Sequence, residues 1–147
     1  MKLIEIPSKP DAELLKLLIR AKLFISHSIT HSQYTTDLDR MVTIHGLDNS
    51  IEFILKIVIQ HLKIEEKLSK RFESNDIWKI AIDVNKFLFD NYQIELPYIT
   101  DIKNLRYIRN LVQHGTFDPI TDIGRNISVV HNFFGFVLDK IFGLSKD

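Results

Sequence analysis

The sequence contains no cysteine, and its 147 residues include only five glycines and four prolines. The absence of cysteine excludes disulfides, thiolate metal sites and thiol nucleophiles. Few helix-breaking residues favour long helices. The chain also lacks an excess of one charge, since 19 basic residues balance 19 acidic ones. A protein that coats nucleic acid is usually distinctly basic, so this balance argues against an extended phosphate-binding surface but leaves a small, locally positive site open.

A long hydrophobic run is missing as well. The most apolar stretch, Ile51 to Ile59, is interrupted by Glu52 and Lys56, and it is far shorter than the roughly 20 residues of a membrane-spanning helix. Residues Met1 to Asp11 carry charges and prolines where a signal peptide has an apolar core. We therefore expect a soluble, cytoplasmic protein with no membrane partner.

Apolar residues, including ten phenylalanines, recur at helical spacing along most of the chain. Caps and breakers divide this pattern into five predicted helices. The first helix follows a start signal at Ser8 to Glu13 and reaches Ile29, and the second spans Ile44 to Leu62 after a cap at Thr35 or Thr36. The third runs from Ser74 or Asn75 to Leu88, and the fourth from a Thr100 cap to Gly115. The fifth begins between Pro119 and Asp122 and ends at Ile141.

Four details refine this prediction. Gly46 inside the second helix indicates close helix packing or a bend, and Asn49-Ser50 is an alternative point at which that helix divides. The charged segment Lys63 to Lys70 is expected to extend it into solvent, and Tyr92 to Tyr98 is the only candidate strand. We predict one all-α domain covering residues 1–147, an up-and-down bundle of about five helices.

The segment Arg109-Asn110-Leu111-Val112-Gln113-His114-Gly115 is the strongest candidate for chemistry. Residues five apart on a helix lie roughly 140° apart around its axis, so Arg109 and His114 do not share a face. Asn110 and His114, four apart, do. The long arginine side chain can bend toward the last turn, or it can meet a histidine from a second copy related by two-fold symmetry. A homodimer with a composite site follows naturally from this geometry.

These side chains suit cleavage of RNA. A histidine can remove the proton of a ribose 2′-hydroxyl or protonate the leaving oxygen, and a forked arginine can hold the charged phosphate. Asn110 would orient one of them, while Lys103 and Arg106 add positive charge for RNA binding. The plain alternative is that His114 and Gly115 simply end a helix, since short patterns often arise by chance.

The Arg-Asn-x-x-x-His pattern resembles that of the HEPN family, small all-helical proteins of which many cut RNA without a metal. The pattern lies just before the last predicted helix, as in that family, and the segment Leu47 to Lys56 resembles the family's early helix. The resemblance implies that Arg109, Asn110 and His114 form a catalytic set in a homodimer without a cofactor. Asp48 or Glu52 would be the acidic partner that some members use.

The resemblance implies a metal-independent endoribonuclease of toxin or defence type, with an antitoxin or another regulatory protein as a possible partner. One toxin subgroup carries a modified tyrosine two residues after the histidine. Here that position is Thr116, which argues against that form of regulation. The alternative is a non-catalytic helical module that dimerises or binds RNA or protein.

A second candidate site is the pair His27 and His31, whose spacing can bind zinc or nickel. Asp37 and Asp39 are the nearest acids, and no third ligand is evident. Two surface histidines explain the pair more simply, so we assign no metal site. His45 is interpreted as a partly buried histidine with a local hydrogen bond, and Glu52 as the partner of Lys56 in a surface ion pair.

Overall fold

A computed structural model describes residues 6, 9–34, 36–72, 77–115 and 123–144. Within these ranges the chain forms helices and no strand, which confirms the all-α prediction, and the candidate strand Tyr92 to Tyr98 is not formed. The described elements are α1 (Ala12–Ser32), α2 (Asp37–Leu62), α3 (Ile64–Leu68), α4 (Ile77–Tyr92), α5 (Ile99–Gln113) and α6 (Ile123–Lys140).

Side-chain caps begin the first two helices. The carboxylate of Asp11 accepts a hydrogen bond from the Leu14 amide at 2.8 Å, and the Thr36 hydroxyl accepts one from the Asp39 amide at 3.1 Å. The predicted Thr36 cap is confirmed. The predicted boundaries at Ser8, at Ser74 or Asn75, and at Pro119 to Asp122 lie outside the described residues.

The predicted extension of the second helix through Lys63 to Lys70 is wrong. Lys63 adopts a left-handed conformation, with φ of 53°, which ends α2 and starts the short α3. This turn lets Ile64 pack into the core, where it is fully buried. The alternative break at Asn49-Ser50 is not formed either, because the Ser50 hydroxyl donates to the Gly46 carbonyl at 2.7 Å within a continuous helix.

Helix α5 corresponds to the fourth predicted helix; its start differs from the prediction, whereas its end agrees with it. Thr100 does not cap it; instead Tyr98, with φ of 66°, precedes the first helical residue. The predicted stop at Gly115 is confirmed, because Gly115 has φ of 70° and its amide donates to the Val112 carbonyl at 3.0 Å. A glycine favours this conformation because it has no Cβ to clash.

Helix α2 is the centre of the structure and contacts α1, α3, α4, α5 and α6. Its close contact with α1 occurs at Gly46, where an added Cβ would lie 2.0 Å from the Ser28 hydroxyl oxygen. The Thr43 hydroxyl also donates to the Ser28 carbonyl at 3.2 Å. The prediction of close helix packing at Gly46 is therefore confirmed.

The apolar core is formed mainly by α1, α2, α4 and α6, with a smaller contribution from α5. Phe133 and Phe142 are the largest of its fully buried side chains. In the part of the chain that the structure describes, no helix has both the length and the apolar character that crossing a membrane requires.

Candidate functional site

Helix α5 presents two different polar faces. Lys103, Tyr107, Asn110 and His114 follow one another at helical spacing, and all four are exposed. We call these four residues the α5 stripe. The side chains of Arg106 and Arg109 lie instead against α2, with only 16% and 26% of their areas exposed. The candidate motif is therefore divided between a solvent-facing stripe and a face that packs on the central helix.

The buried carboxylate of Asp48 connects α2 to α5. Only 2% of its side chain is exposed, and its Oδ1 accepts a hydrogen bond from Arg106 Nε at 3.0 Å. Arg109 Nε lies 3.8 Å from Asp48 Oδ2. One turn further along α2, Glu52 lies 3.5 Å from an outer nitrogen of Arg106 and 3.2 Å from Lys56. We call Asp48, Glu52, Arg106 and Arg109 the carboxylate–arginine cluster.

The contact between Asp48 and Arg109 is electrostatic. The atoms that face each other, Asp48 Oδ2 and Arg109 Nε, are buried and make no hydrogen bond, because 3.8 Å is too long for one. Burial raises the pKa of Asp48 above its ordinary value, while the positive charge and hydrogen bond of Arg106, and then Arg109, act in the opposite direction. Asp48 is thus a costly charge to bury, and it is buried beside the motif arginine.

Asn110 holds the same guanidinium from the other side. Its amide oxygen accepts a hydrogen bond from Arg109 Nη1 at 3.0 Å. The guanidinium carries five N–H groups, and these contacts with Asp48 and Asn110 do not involve the Nη2 amine. Among the described residues, Asp48 and Asn110 are thus the two side chains that contact the Arg109 guanidinium.

His114 ends the same helix. It is exposed, and its backbone amide donates to the Asn110 carbonyl at 3.1 Å. Among the described residues, no hydrogen bond or ion pair joins its ring to Arg109 or Asp48. The structure brings Arg109, Asn110 and Asp48 together in one chain, but it does not bring the His114 ring to them. Thr116 lies outside the described residues.

The two residues predicted to bind RNA have different surroundings. Lys103 lies on the α5 stripe, with its ammonium 4.4 Å from the centre of the Trp78 ring, a cation–π contact. Arg106 contacts two carboxylates, which compensate its charge. Its surroundings favour a role in holding α5 against α2, and RNA binding by either residue stays a prediction.

The charges of Arg109 and Asp48 act on His45, which the sequence interpretation did not connect with the motif. It lies one turn before Asp48 on α2, is half-buried, and lines a groove of about 460 Å³ between α1 and α2. Burial lowers its pKa from the ordinary value of 6.5, and the nearby charge of Arg109 lowers it further, while Asp48 acts in the opposite direction. The i, i+3 spacing to Asp48 was the only signal in the sequence.

We expect the His45 ring to titrate below 6.5, and Arg109→Gln to raise its pKa by removing a positive charge. A lowered pKa means that the folded protein disfavours the imidazolium. The stability contributed by neutral His45 is therefore lost as pH falls from 6.5 through the folded pKa. NMR titration of the ring checks this, with Arg125→Gln, which removes an exposed arginine paired with Asp101, as the control. Equal His45 pKa values in all three proteins would contradict the proposed proximity to Arg109.

The chain matches no family model, and neither a curated protein nor a solved structure matches it. In the described ranges, no group of three or more histidine, aspartate or glutamate side chains is arranged to hold a metal ion.

Proposed function

We propose that this protein is a metal-independent endoribonuclease of toxin or defence type, built on a HEPN-like helical bundle. The observation that supports this most is the position of the motif arginine, whose Nε lies 3.8 Å from a buried carboxylate on another helix. Burying a carboxylate is unfavourable unless positive charge compensates it. Asp48 and Arg109, which meet at this buried carboxylate, are both residues that the family resemblance selects.

The proposed reaction uses the RNA itself as the nucleophile. The ribose 2′-hydroxyl loses its proton and its oxygen bonds to the adjacent phosphorus, while the bond from phosphorus to the 5′-oxygen breaks. The products are a 2′,3′-cyclic phosphate and a 5′-hydroxyl, and the proton removed at one oxygen is balanced by one delivered to the other. His114 transfers one of these protons, Arg109 stabilises the charge of the five-coordinate phosphate, and Asn110 orients Arg109 through the observed hydrogen bond.

A homodimer would complete this site. Asn110 and His114 lie on the α5 stripe together with Tyr107, which is 63% exposed. Pairing of two α5 stripes around a two-fold axis would bring His114 of one subunit toward Arg109 of the other. Exposed apolar residues at helical spacing on α1, namely Leu15, Ile19 and Leu23, supply further surface for a second copy or for an antitoxin or regulatory protein.

The test is incubation of the purified protein with mixed cellular RNA in excess chelator. We expect cleavage that leaves 2′,3′-cyclic phosphate ends, and a loss of about 10²–10³-fold in Arg109→Ala, the size typical of removing one donor to a transition-state oxyanion. Arg125→Ala, at the exposed ion pair with Asp101, is the control and should cleave normally. Intact RNA in all three samples, across several substrates, would show that the enzyme assignment is wrong.

The second candidate function is a non-catalytic module that dimerises or binds RNA or protein. The exposed apolar residues of α1 favour it. Binding of RNA without cleavage, unaffected by His114→Ala, would support this alternative over the nuclease.

A further inference from the structure

The side chains of His27 and His31 on α1 lie closer together than two surface histidines one helical turn apart need to. Their Nε2 atoms lie 3.1 Å apart, with the two rings at 74° to each other. Two nitrogens bound to one ion at metal–nitrogen distances of 2.0–2.1 Å are separated by roughly 2.8–3.4 Å, for angles between octahedral and tetrahedral. The observed separation, which in the free protein is that of a hydrogen bond between the two rings, also falls inside the range for two ligands of one ion.

A carboxylate on the next helix orients one of these rings. Asp39 Oδ1 lies 2.9 Å from His31 Nδ1 and accepts its proton in a hydrogen bond. In a neutral imidazole only one nitrogen carries hydrogen, so Nε2 of His31 presents a lone pair toward His27. A metal-bound histidine characteristically donates its other N–H to a carboxylate in this way.

The carboxylate is itself held in position. Thr36 caps α2, and its hydroxyl donates to Asp39 Oδ2 while accepting from the Asp39 amide at 3.1 Å. A chain of hydrogen bonds therefore runs from the Thr36 cap of α2 through Asp39 to His31 and His27, and it joins α2 to α1. Asp37, the other acid near the pair, contacts Arg40 instead, at 3.6 Å.

We propose that His27 and His31 form a two-histidine clamp for a late first-row divalent ion such as Zn²⁺, Ni²⁺ or Cu²⁺, with Asp39 as the residue that positions His31. Imidazole nitrogen suits these ions, whereas Mg²⁺ and Ca²⁺ prefer oxygen. Since the described residues offer no three-ligand group, water or another external ligand completes the coordination. The clamp lies on a different helix from the motif of α5 and is independent of the proposed nuclease.

The test is calorimetric titration of the chelator-stripped full chain with Ni²⁺ or Zn²⁺ alone. We expect saturable binding of a single ion per chain, a higher Tm in its presence, and affinity reduced at least about 10-fold in His27→Ala and in His31→Ala. His131→Ala, which removes an exposed histidine of α6, is the matched control and should bind normally.

The positioning role of Asp39 has its own readout. Asp39→Asn should weaken binding by about 10–100-fold without changing the number of ions bound, whereas Asp37→Asn on the same turn should not. Circular dichroism checks that each variant remains helical. Absence of saturable binding in the wild-type chain would overturn the proposal and leave the 3.1 Å contact as a hydrogen bond between the two rings. Binding that survives loss of both histidines would overturn it as well.

Discussion

Replacing His114 with alanine is expected to lower the rate of RNA cleavage by about 10²–10⁴-fold, the usual contribution of a general acid or base. The free energy of unfolding should change by no more than about 0.5 kcal/mol, because the residue is exposed and its backbone amide keeps its bond to Asn110. Single-turnover cleavage and urea unfolding measure the two quantities. His131→Ala is the control for loss of an exposed histidine, and it should cleave RNA at the wild-type rate.

A mixing experiment tests whether the site is shared between subunits. Arg109→Ala and His114→Ala chains are each expected to cleave RNA at least about 100-fold more slowly than wild type. If the arginine of one chain works with the histidine of the other, a mixed dimer contains one site with both residues intact. Unfolding and refolding the two variants together should then restore roughly a quarter of the wild-type rate, since half of the dimers are mixed and each has one of two sites. No recovery on mixing, while wild-type cleavage depends on both residues, would indicate that both belong to one chain.

Asp48→Ala is expected to destabilise the fold by roughly 3–5 kcal/mol, the cost of removing one partner from a buried ion pair. The substitution leaves Arg106 and Arg109, both largely covered, without their shared carboxylate. Urea unfolding measures the change. Asp101→Ala is a matched control, because Asp101 meets Arg125 at a similar distance, 2.9 Å, but at the surface. There we expect less than about 1 kcal/mol, and equal effects in the two variants would contradict the role assigned to Asp48.

The pH dependence of stability separates the charge of Asp48 from its packing. Because burial raises its pKa above the ordinary 3.8, the folded protein holds this proton more tightly than the unfolded chain does. The stability that the proton contributes is fully present below 3.8 and is lost as pH rises through the folded pKa. Asparagine at this position does not titrate. As pH rises through that window, the unfolding free energy of wild type should therefore fall relative to that of Asp48→Asn. A difference that does not change with pH would contradict the raised pKa.

Much of the local structure could be predicted from the residues alone. The Thr36 cap, the close approach at Gly46 and the glycine stop at Gly115 were each expected and are observed. Each depends on a short-range rule: a hydroxyl caps free amides, and glycine permits close contact or positive φ. The errors have a tertiary cause. The turn at Lys63 buries Ile64 in the core, and nothing in the charged sequence around it indicates that burial.

The same division applies to the candidate site. Residue type and spacing along one helix selected Arg109, Asn110 and His114, and the family resemblance added Asp48 and Glu52 as possible partners. Only the packed structure shows how these acids differ, since Asp48 contacts both Arg106 and Arg109, whereas Glu52 contacts Arg106. It also brings the charge of the motif arginine to bear on the pKa of His45.

Residue order alone specifies the helical periodicity, the helix ends that depend on a cap or a glycine, and which side chains share a face of α5. Tertiary packing is needed to show that Asp48 contacts an arginine 58 residues away, and that loss of solvent around Asp48 raises its pKa despite the opposing charge of that arginine. The physical reason is that helical spacing is a local property of the backbone. Burial, ion pairing and pKa depend on which helix faces meet, and this is set by the packing of the whole core around α2.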